Sequence, residues 1–151
     1  MFLKVLKYPN PVLRKMSEPI KEVTSDILQL AEDMWETMMI SGGIGLAAPQ
    51  IGKNIRVIVL LTADLGNLID QQYPYCTMIN PEILEIGGSQ YDTEFCLSVP
   101  GKGKKVRRPE TVKVQYLNPD GKIEIVKLSG IKARCVAHEI DHLDGKLFLD
   151  Y

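Results

Sequence analysis

Cysteine is scarce in this chain, and its spacing excludes one common use of cysteines. The 151 residues include three cysteines, Cys76, Cys96 and Cys135, and no two of them form a CxxC pair. An odd number of separated thiols argues against a disulfide framework and fits a reducing compartment. Each cysteine therefore needs its own explanation, and two of them can simply be small buried hydrophobic residues.

Long apolar runs and an excess of charge are also absent. The longest apolar stretches, such as residues 57–61, are far too short to span a bilayer. Lysines interrupt residues 1–7, where a secretory signal would need an apolar segment. The net charge of −1 gives no reason to expect nucleic acid or an anionic membrane as a partner. We expect a cytoplasmic protein in which residues 1–151 form a single domain.

Both histidines of the chain lie in one short segment. His138 and His142 are four residues apart, a spacing that places both side chains on one face of an α-helix, and Glu139 follows the first. The pattern HExxH is typical of a helix that binds a metal ion, with the glutamate moving the proton of a metal-bound water. Ordinary surface histidines are the alternative. Ile131 and Cys135 share the histidine face, and an apolar face favours the metal site.

A glycine-rich segment at residues 42–52 allows two interpretations. It superficially matches the dinucleotide fingerprint GxGxxA, but that motif follows a strand and opens a helix. Here the segment follows a predicted helix, and Pro49 prevents another from continuing. It is either backbone that a ligand approaches closely or a plain helix-to-strand turn.

The order of predicted elements indicates the fold class. Apolar spacing predicts a helix from residue 27 to about Ser41 after a cap at Thr24 or Ser25, and a second helix over residues 131–143 after a cap at Ser129. Residues 63–75 read as a loop. Short strands are predicted at residues 55–61, 77–79, 82–86, 91–97, 101–108, 111–116 and 122–128. This pattern predicts an α+β fold with mostly antiparallel β-sheets around a central C-terminal helix that carries HExxH, plus one long N-terminal helix.

A third metal ligand is needed, because catalytic sites usually have three protein ligands and one open position. In the pattern HExxHxxGxxH the third ligand is a histidine. Gly145 fits that pattern, but Phe148 stands at the final position and cannot bind a metal. No glutamate follows His142, and Asp144 and Asp150 have no motif behind them. The third ligand should therefore lie upstream.

Cys96 is the best upstream candidate, at the end of a predicted strand. A thiolate with two imidazoles makes a tetrahedral site that stays open to water. Sulfur donation favours iron(II), nickel, cobalt or zinc over magnesium or calcium.

Three motifs together resemble those of the peptide deformylase family. Gly43-Ile44-Gly45-Leu46-Ala47-Ala48-Pro49-Gln50 matches GxGxAAxQ, Glu94-Phe95-Cys96-Leu97-Ser98 matches EGCLS at all but one position, and Ala137-His138-Glu139-Ile140-Asp141-His142 matches QHExDH after its first residue. The resemblance runs from about residue 3 to residue 151. It implies removal of the formyl group from the N-terminal formylmethionine of new polypeptides, with release of formate.

The resemblance also implies a metal site and a mechanism. Cys96, His138 and His142 would hold one divalent ion per chain, Fe2+ in the cell, with Zn2+, Ni2+ or Co2+ able to substitute. A metal-bound water would attack the formyl carbon, with Glu139 as general base and then general acid. The Gln50 amide and the backbone N–H of Leu97 would donate to the oxyanion.

Formylated nascent peptides are the implied partners, bound in an extended conformation. The resemblance places them between the glycine-rich segment and the strand before Cys96, with the methionine side chain in an apolar pocket. The residues assigned to substrate binding are Gly43, Ile44, Gly45, Phe95, Ile131, Arg134 and Cys135.

Several positions depart from the family pattern. Phe95 replaces a glycine, Arg134 replaces an apolar pocket residue, and Gly103 stands where an arginine is frequent. Most bacterial members also have a C-terminal helix that docks on the ribosome, and docking by that route is not expected here. Glu94 and Arg108 match positions that pair in the family, so we predict a salt bridge that steadies the Cys96 segment.

Two other functions fit parts of the pattern. A small HExxH endopeptidase would release peptide fragments rather than formate, and the missing downstream ligand argues against it. A catalytically inactive relative would only bind peptides or the ribosome. The presence of Gln50, Cys96, His138, Glu139 and His142 argues against loss of activity.

Overall fold

The computed structural model describes residues 1–61 and 75–151, so the loop predicted for residues 63–75 lies outside the described residues except at Tyr75, which begins a strand. The helices are α1 (Ser25–Ile40) and α2 (Gly130–Leu143). The strands are β1 (Gly45–Ala47), β2 (Val57–Leu61), β3 (Tyr75–Gly87), β4 (Gln90–Cys96), β5 (Val99–Arg108), β6 (Thr111–Leu117) and β7 (Ile123–Ser129). Short 3-10 segments cover Pro11–Arg14, Ala48–Ile51 and Phe148–Asp150.

Two antiparallel sheets form the framework. One has five strands in the order β1-β2-β3-β6-β7, and the other is the β4–β5 hairpin. The predicted α+β class is therefore confirmed. Strand β1 was not predicted, because three residues are too short to show an alternating pattern and pairing with β2 defines them.

Strand β3 unites two segments that the sequence predicted as separate strands. Pro81 cannot donate a hydrogen bond, and the register with β6 shifts between Ile79 and Glu82. Asn80 adopts a positive φ of 52°. Its side chain accepts a hydrogen bond from Ile20 N and donates one to Ile20 O, both at 2.8 Å. A bulge fixed by this asparagine thus lets one strand continue past the proline.

Helix α1 covers one face of the five-stranded sheet. Thr24 caps it, since its hydroxyl accepts a hydrogen bond from Ile27 N at 3.4 Å. The buried Met34 and Met38 pack in one cluster with residues of β2 such as Val57. The helix has 16 residues, so it is of ordinary length rather than long. Its predicted end in a left-handed glycine is present at Gly42, with φ of 75°.

Helix α2 lies between the large sheet and the hairpin. Val136, Ile140 and Leu143 join Ile58 and Val114 in a buried cluster that attaches the helix to the sheet. The same helix contacts β5 of the hairpin. Ser129 occupies the N-cap position, although its side chain makes no capping hydrogen bond. Within the described residues, no helix combines the length and the hydropathy needed to cross a membrane.

Candidate metal centre

Both histidines project from α2 toward the β4–β5 hairpin. Their Nε2 atoms lie 3.2 Å apart, and both rings are buried. Burial lowers the pKa of His142 well below its ordinary value, so this ring is neutral, the form that binds a metal ion. The predicted helical spacing therefore brings two ligand nitrogens to one point.

Cys96 reaches the same point from the end of β4. Side chains alternate along that strand, so Glu94 and Cys96 are buried while Phe95 is exposed. The Cys96 thiol lies 3.4 Å from His142 Nε2. One donor atom each from Cys96, His138 and His142 all lie within 4.8 Å of one another. The predicted convergence of the three side chains is confirmed.

The surroundings of this donor set fit a cation. His138 Nδ1 donates a hydrogen bond to Glu94 Oε1 at 2.8 Å, which leaves Nε2 to face Cys96 and His142. Burial lowers the pKa of His138, but hydrogen bonds to Cys96 and Glu94 outweigh burial and raise it to about 10. A metal ion bound at Nε2 would take the place of that proton. One thiolate and two imidazoles suit iron(II), cobalt, nickel or zinc.

Glu94 is the centre of a buried ionic network. Its carboxylate accepts two hydrogen bonds from Arg108, at 2.7 and 2.9 Å, which confirms the predicted salt bridge. It accepts another from Arg134 Nη1 at 2.8 Å. Burial alone would raise the pKa of Glu94, but the bonds from Arg108 and His138 lower it to about 2. The carboxylate is therefore ionised and holds the His138 ring in place.

Arg134 faces in a direction that its sequence position did not predict. It was assigned to the substrate pocket, and it does line the cavity described below. Its guanidinium, however, donates to Glu94 and to the carbonyl oxygens of Asp92 and Val106, at 3.2 and 3.0 Å. The positive charge of Arg134 is thus paired with Glu94, so this arginine does not place a free cation in the pocket.

Glu139 lies beside the metal ligands. Its Oε1 atom is 3.6 Å from His138 Nε2, and its Oε2 atom is buried without a hydrogen-bond partner among the described residues. Burial raises the pKa of Glu139 to about 7. A carboxyl with a pKa near neutrality is suited to accept and return a proton.

Gln50 is held with its amide nitrogen toward Cys96. The backbone N–H of Ala47 donates to Gln50 Oε1 at 2.9 Å, so the oxygen must face Ala47. The amide nitrogen then donates to Ser98 Oγ at 3.1 Å and approaches Cys96 Sγ at 3.6 Å. The structure thus presents a neutral donor next to the donor cluster. Ser98 was not singled out from the sequence, although it ends the motif around Cys96.

A cavity of about 580 Å³ opens beside the donor cluster. Its lining includes Cys96, His138, Glu139, Gln50 and Leu97, together with all seven residues assigned to substrate binding: Gly43, Ile44, Gly45, Phe95, Ile131, Arg134 and Cys135. The sequence missed Lys7, which also lines the cavity and donates to Leu97 O at 2.8 Å. Nothing in the sequence links Lys7 to a segment 90 residues away.

The glycine-rich segment packs closely against protein as well as lining the cavity. A Cβ atom on Gly43 would lie 2.9 Å from Leu97 Cδ1, and one on Gly45 would lie 2.8 Å from Cys135 Sγ and 3.0 Å from Glu139 Cγ. Glycine therefore lets β1 approach α2 and the end of β4. This contact gives the two glycines a packing reason besides access for a ligand.

Comparison with known sequences points to one family. A sequence model of the family described as polypeptide deformylase matches residues 2–151. The peptide deformylase of Alkalilimnicola ehrlichii is 46% identical over 149 residues, covering 99% of this chain and 81% of the relative. The peptide deformylase of Acinetobacter baumannii is 43% identical over 150 residues, covering 99% of this chain and 82% of the relative.

Solved structures agree with the sequence comparison. A probable peptide deformylase from Synechococcus phage S-SSM7 superposes with a TM-score of 0.91 at 41% identity and covers 99% of both chains. A peptide deformylase from Synechococcus elongatus in complex with actinonin gives a TM-score of 0.88 at 36% identity, covering 98% of this chain and 77% of that one. The whole described fold is therefore shared with these proteins.

Proposed function

This chain belongs to the peptide deformylase family, metal-dependent hydrolases that remove the N-formyl group from nascent peptides, and from that premise we propose how its own residues carry out the reaction. Cys96, His138 and His142 would hold the metal ion, and Glu139 transfers the proton. The observation that carries the proposal is the meeting of three ligand atoms within 4.8 Å beside a buried carboxylate on the wall of a cavity.

When bound by these three side chains, a metal ion would supply the Lewis acidity needed to activate water and polarise the formyl carbonyl. Fe2+ is the proposed ion in the cell, and Zn2+, Ni2+ or Co2+ would substitute, because the mixed sulfur and nitrogen ligands suit all four. Glu94 orients His138 through the Nδ1 hydrogen bond and keeps its Nε2 available.

Glu139 accepts the proton of the attacking water and later delivers it to the departing amine. Its buried position raises its pKa to about 7, which suits both directions of transfer. The formyl oxygen gains negative charge as the water adds. The Gln50 amide, already held toward Cys96, and the backbone N–H of Leu97 donate hydrogen bonds to that oxygen.

The peptide lies extended between two strands. Strand β1 is at the edge of the five-stranded sheet and its residue Gly45 lines the cavity, as does Phe95 of β4 on the hairpin. An extended peptide can add its backbone hydrogen bonds to such an edge. The methionine side chain then enters the cavity toward Ile44, Ile131 and Cys135.

Residues 1–151 form one catalytic domain, which acts as a monomer in the cytoplasm, where formylated nascent peptides are made. Direct binding of nucleic acid is not expected, since the net charge of the chain is −1.

A formate-release assay tests the function. The chain is loaded anaerobically with iron(II) or nickel and given a formyl-Met peptide, with formate and new amino termini measured together, because a thiolate–iron site is sensitive to oxidation. We expect equal amounts of the two products and inhibition by actinonin. Cleavage within the peptide, or no formate from fully metal-loaded protein, would contradict the proposal.

A further inference from the structure

The two positions at which the hairpin departs from the family pattern touch each other. Phe95 on β4 and Gly103 on β5 lie side by side. A Cβ atom built on Gly103 would come within 2.7 Å of Phe95 Cε1 and 3.0 Å of Phe95 Cζ. The ring therefore occupies the space that a side chain at position 103 would fill. The large residue at position 95 is thus matched by the smallest residue at position 103, and the Phe95 ring packs on Gly103.

Phe95 belongs to an apolar rim around the mouth of the cavity. Phe95 is 74% exposed, and the other exposed large apolar residues of the lining, Ile131 and Ile44, are 65% and 46% exposed. Three exposed apolar side chains around one opening form a surface that water covers poorly and that an apolar group would cover well.

The charged residues that line the cavity are buried or bonded to other protein groups, so they do not make this rim polar. Glu94, Arg134 and Glu139 are buried, and the first two are bound to each other. The amino group of Lys7 is bound to Leu97 O. Two exposed cations of β5, Lys105 and Arg107, lie elsewhere, since their charges sit 5.9 and 5.2 Å from the ring centre of Tyr91, which is not a lining residue.

We propose that Phe95, seated on Gly103, makes this enzyme selective for formyl-Met peptides with an apolar side chain at the third residue. The inference rests on the function proposed above and on peptide geometry. In an extended peptide, side chains alternate, so residues one and three point to the same side, about 7 Å apart. When the methionine side chain enters the cavity, the third side chain reaches the rim that Phe95 and Ile131 form.

The test compares two peptides on one enzyme preparation. The probes are formyl-Met-Ala-Leu and formyl-Met-Ala-Glu, and the measured quantity is the ratio of their kcat/KM values for the nickel-loaded enzyme. We expect a preference of about fivefold or more for leucine, carried mainly by KM, from partial burial of one apolar side chain. A ratio on one preparation does not change with the fraction of folded or metal-loaded protein.

Two variants, one on each strand of the hairpin, take the Phe95 ring away from the rim. Phe95→Gly deletes it, and Gly103→Ala displaces it without altering the segment next to Cys96. Both should lower the ratio toward one, with Ile131 and Ile44 left in place. Tyr91→Ala removes an exposed aromatic ring from the far end of the same hairpin and should keep the ratio of the unmodified chain, which makes it the matched control.

Each outcome decides the inference. A ratio near one in the unmodified chain, or an unchanged preference in both Phe95→Gly and Gly103→Ala, overturns it, while formate release from both peptides leaves the proposed function intact. Absence of formate from every peptide would instead overturn the proposed function, and this inference with it.

Discussion

The Glu139 carboxylate keeps one buried oxygen without a hydrogen-bond donor among the described residues. If that oxygen receives the proton of the attacking water, Glu139→Gln should lower kcat by about 10² to 10⁴, the usual range for a general base. The metal content should stay near one ion per chain, since Glu139 is not a proposed ligand. Formate release and metal analysis of the same preparation measure both. Glu85→Gln, at an exposed glutamate of β3, is the control and should change neither.

A different result would assign the transfer of the water proton to another group. If Glu139→Gln kept its activity with the metal bound, another group would have to act as the base. If the variant lost both its activity and its metal ion, the Glu139 carboxylate would instead contribute to metal binding.

Local sequence patterns predicted individual donors better than their partners. His138 and His142 were predicted because a four-residue spacing has a fixed meaning on a helix. Cys96 was the remaining soft ligand with a suitable context. Arg134 was predicted to lie in the pocket but not to bind Glu94, 40 residues away. That partnership depends on how the hairpin docks on α2, which no local pattern contains.

Among the secondary-structure elements, the approach of β1 to α2 depends on Gly45. An added Cβ would meet Cys135 Sγ at 2.8 Å and Glu139 Cγ at 3.0 Å. We expect Gly45→Ala to destabilise the fold by about 1–3 kcal/mol, the usual cost of overpacking, and to lower activity by displacing Glu139. Urea unfolding gives the first quantity and formate release the second.

Removing the nearest obstacle provides the check on this contact. In the double variant Gly45→Ala, Cys135→Ala, the sulfur is gone, so part of the stability should return relative to the sum of the single variants. Strict additivity of the two changes would mean that the close approach is not the cause.

The β4–β5 hairpin is joined to α2 through buried charges. Glu94→Gln removes the anion shared by Arg108, Arg134 and His138. Arg108 keeps Asp141 at 2.6 Å, but the buried Arg134 has no second carboxylate partner among the described residues. We expect a loss of about 3–5 kcal/mol in the free energy of unfolding, because an uncompensated buried charge is costly. Denaturant unfolding of the metal-free protein measures it without interference from metal binding.

An exposed ion pair serves as the comparison for this change. Arg14 and Asp150 are 2.6 Å apart, but their side chains are 41% and 39% exposed. Arg14→Gln should therefore lower the free energy of unfolding by less than about 1 kcal/mol. Similar losses in the two variants would show that burial is not what makes the Glu94 network important.

Elements with a strong local signal were predicted, and those defined by pairing were not. Helix α2 was predicted to within one residue because its apolar spacing and following glycine agree. Strand β1 has only three residues, and its only mark is its partner β2. The continuity of β3 depended on Asn80, whose side chain bonds Ile20 in a remote segment.

For the whole molecule, the metal ion would join two parts of the fold that are far apart in sequence. Cys96 ends a strand of the hairpin, and His142, 46 residues later, lies on the helix that is packed against the large sheet. A ligand that binds only the folded chain raises the free energy of unfolding by RT ln(1 + [L]/Kd), which is about 4 kcal/mol at a thousandfold excess over Kd. For a protein of this size, that corresponds to a rise in Tm of about 10 °C.

Thermal unfolding under anaerobic conditions measures this coupling. The metal-free chain should unfold at a lower temperature than the nickel-loaded chain, and a chelator should reverse the difference. His142→Ala is expected to lower the starting Tm, because it empties a buried position, and to abolish most of the rise on adding nickel. If nickel raised the Tm of His142→Ala as much as that of the unmodified chain, the stabilising ion would be bound elsewhere. The hairpin and α2 would then be held together without the ion, through contacts such as the Glu94–Arg134 and Arg108–Asp141 ion pairs.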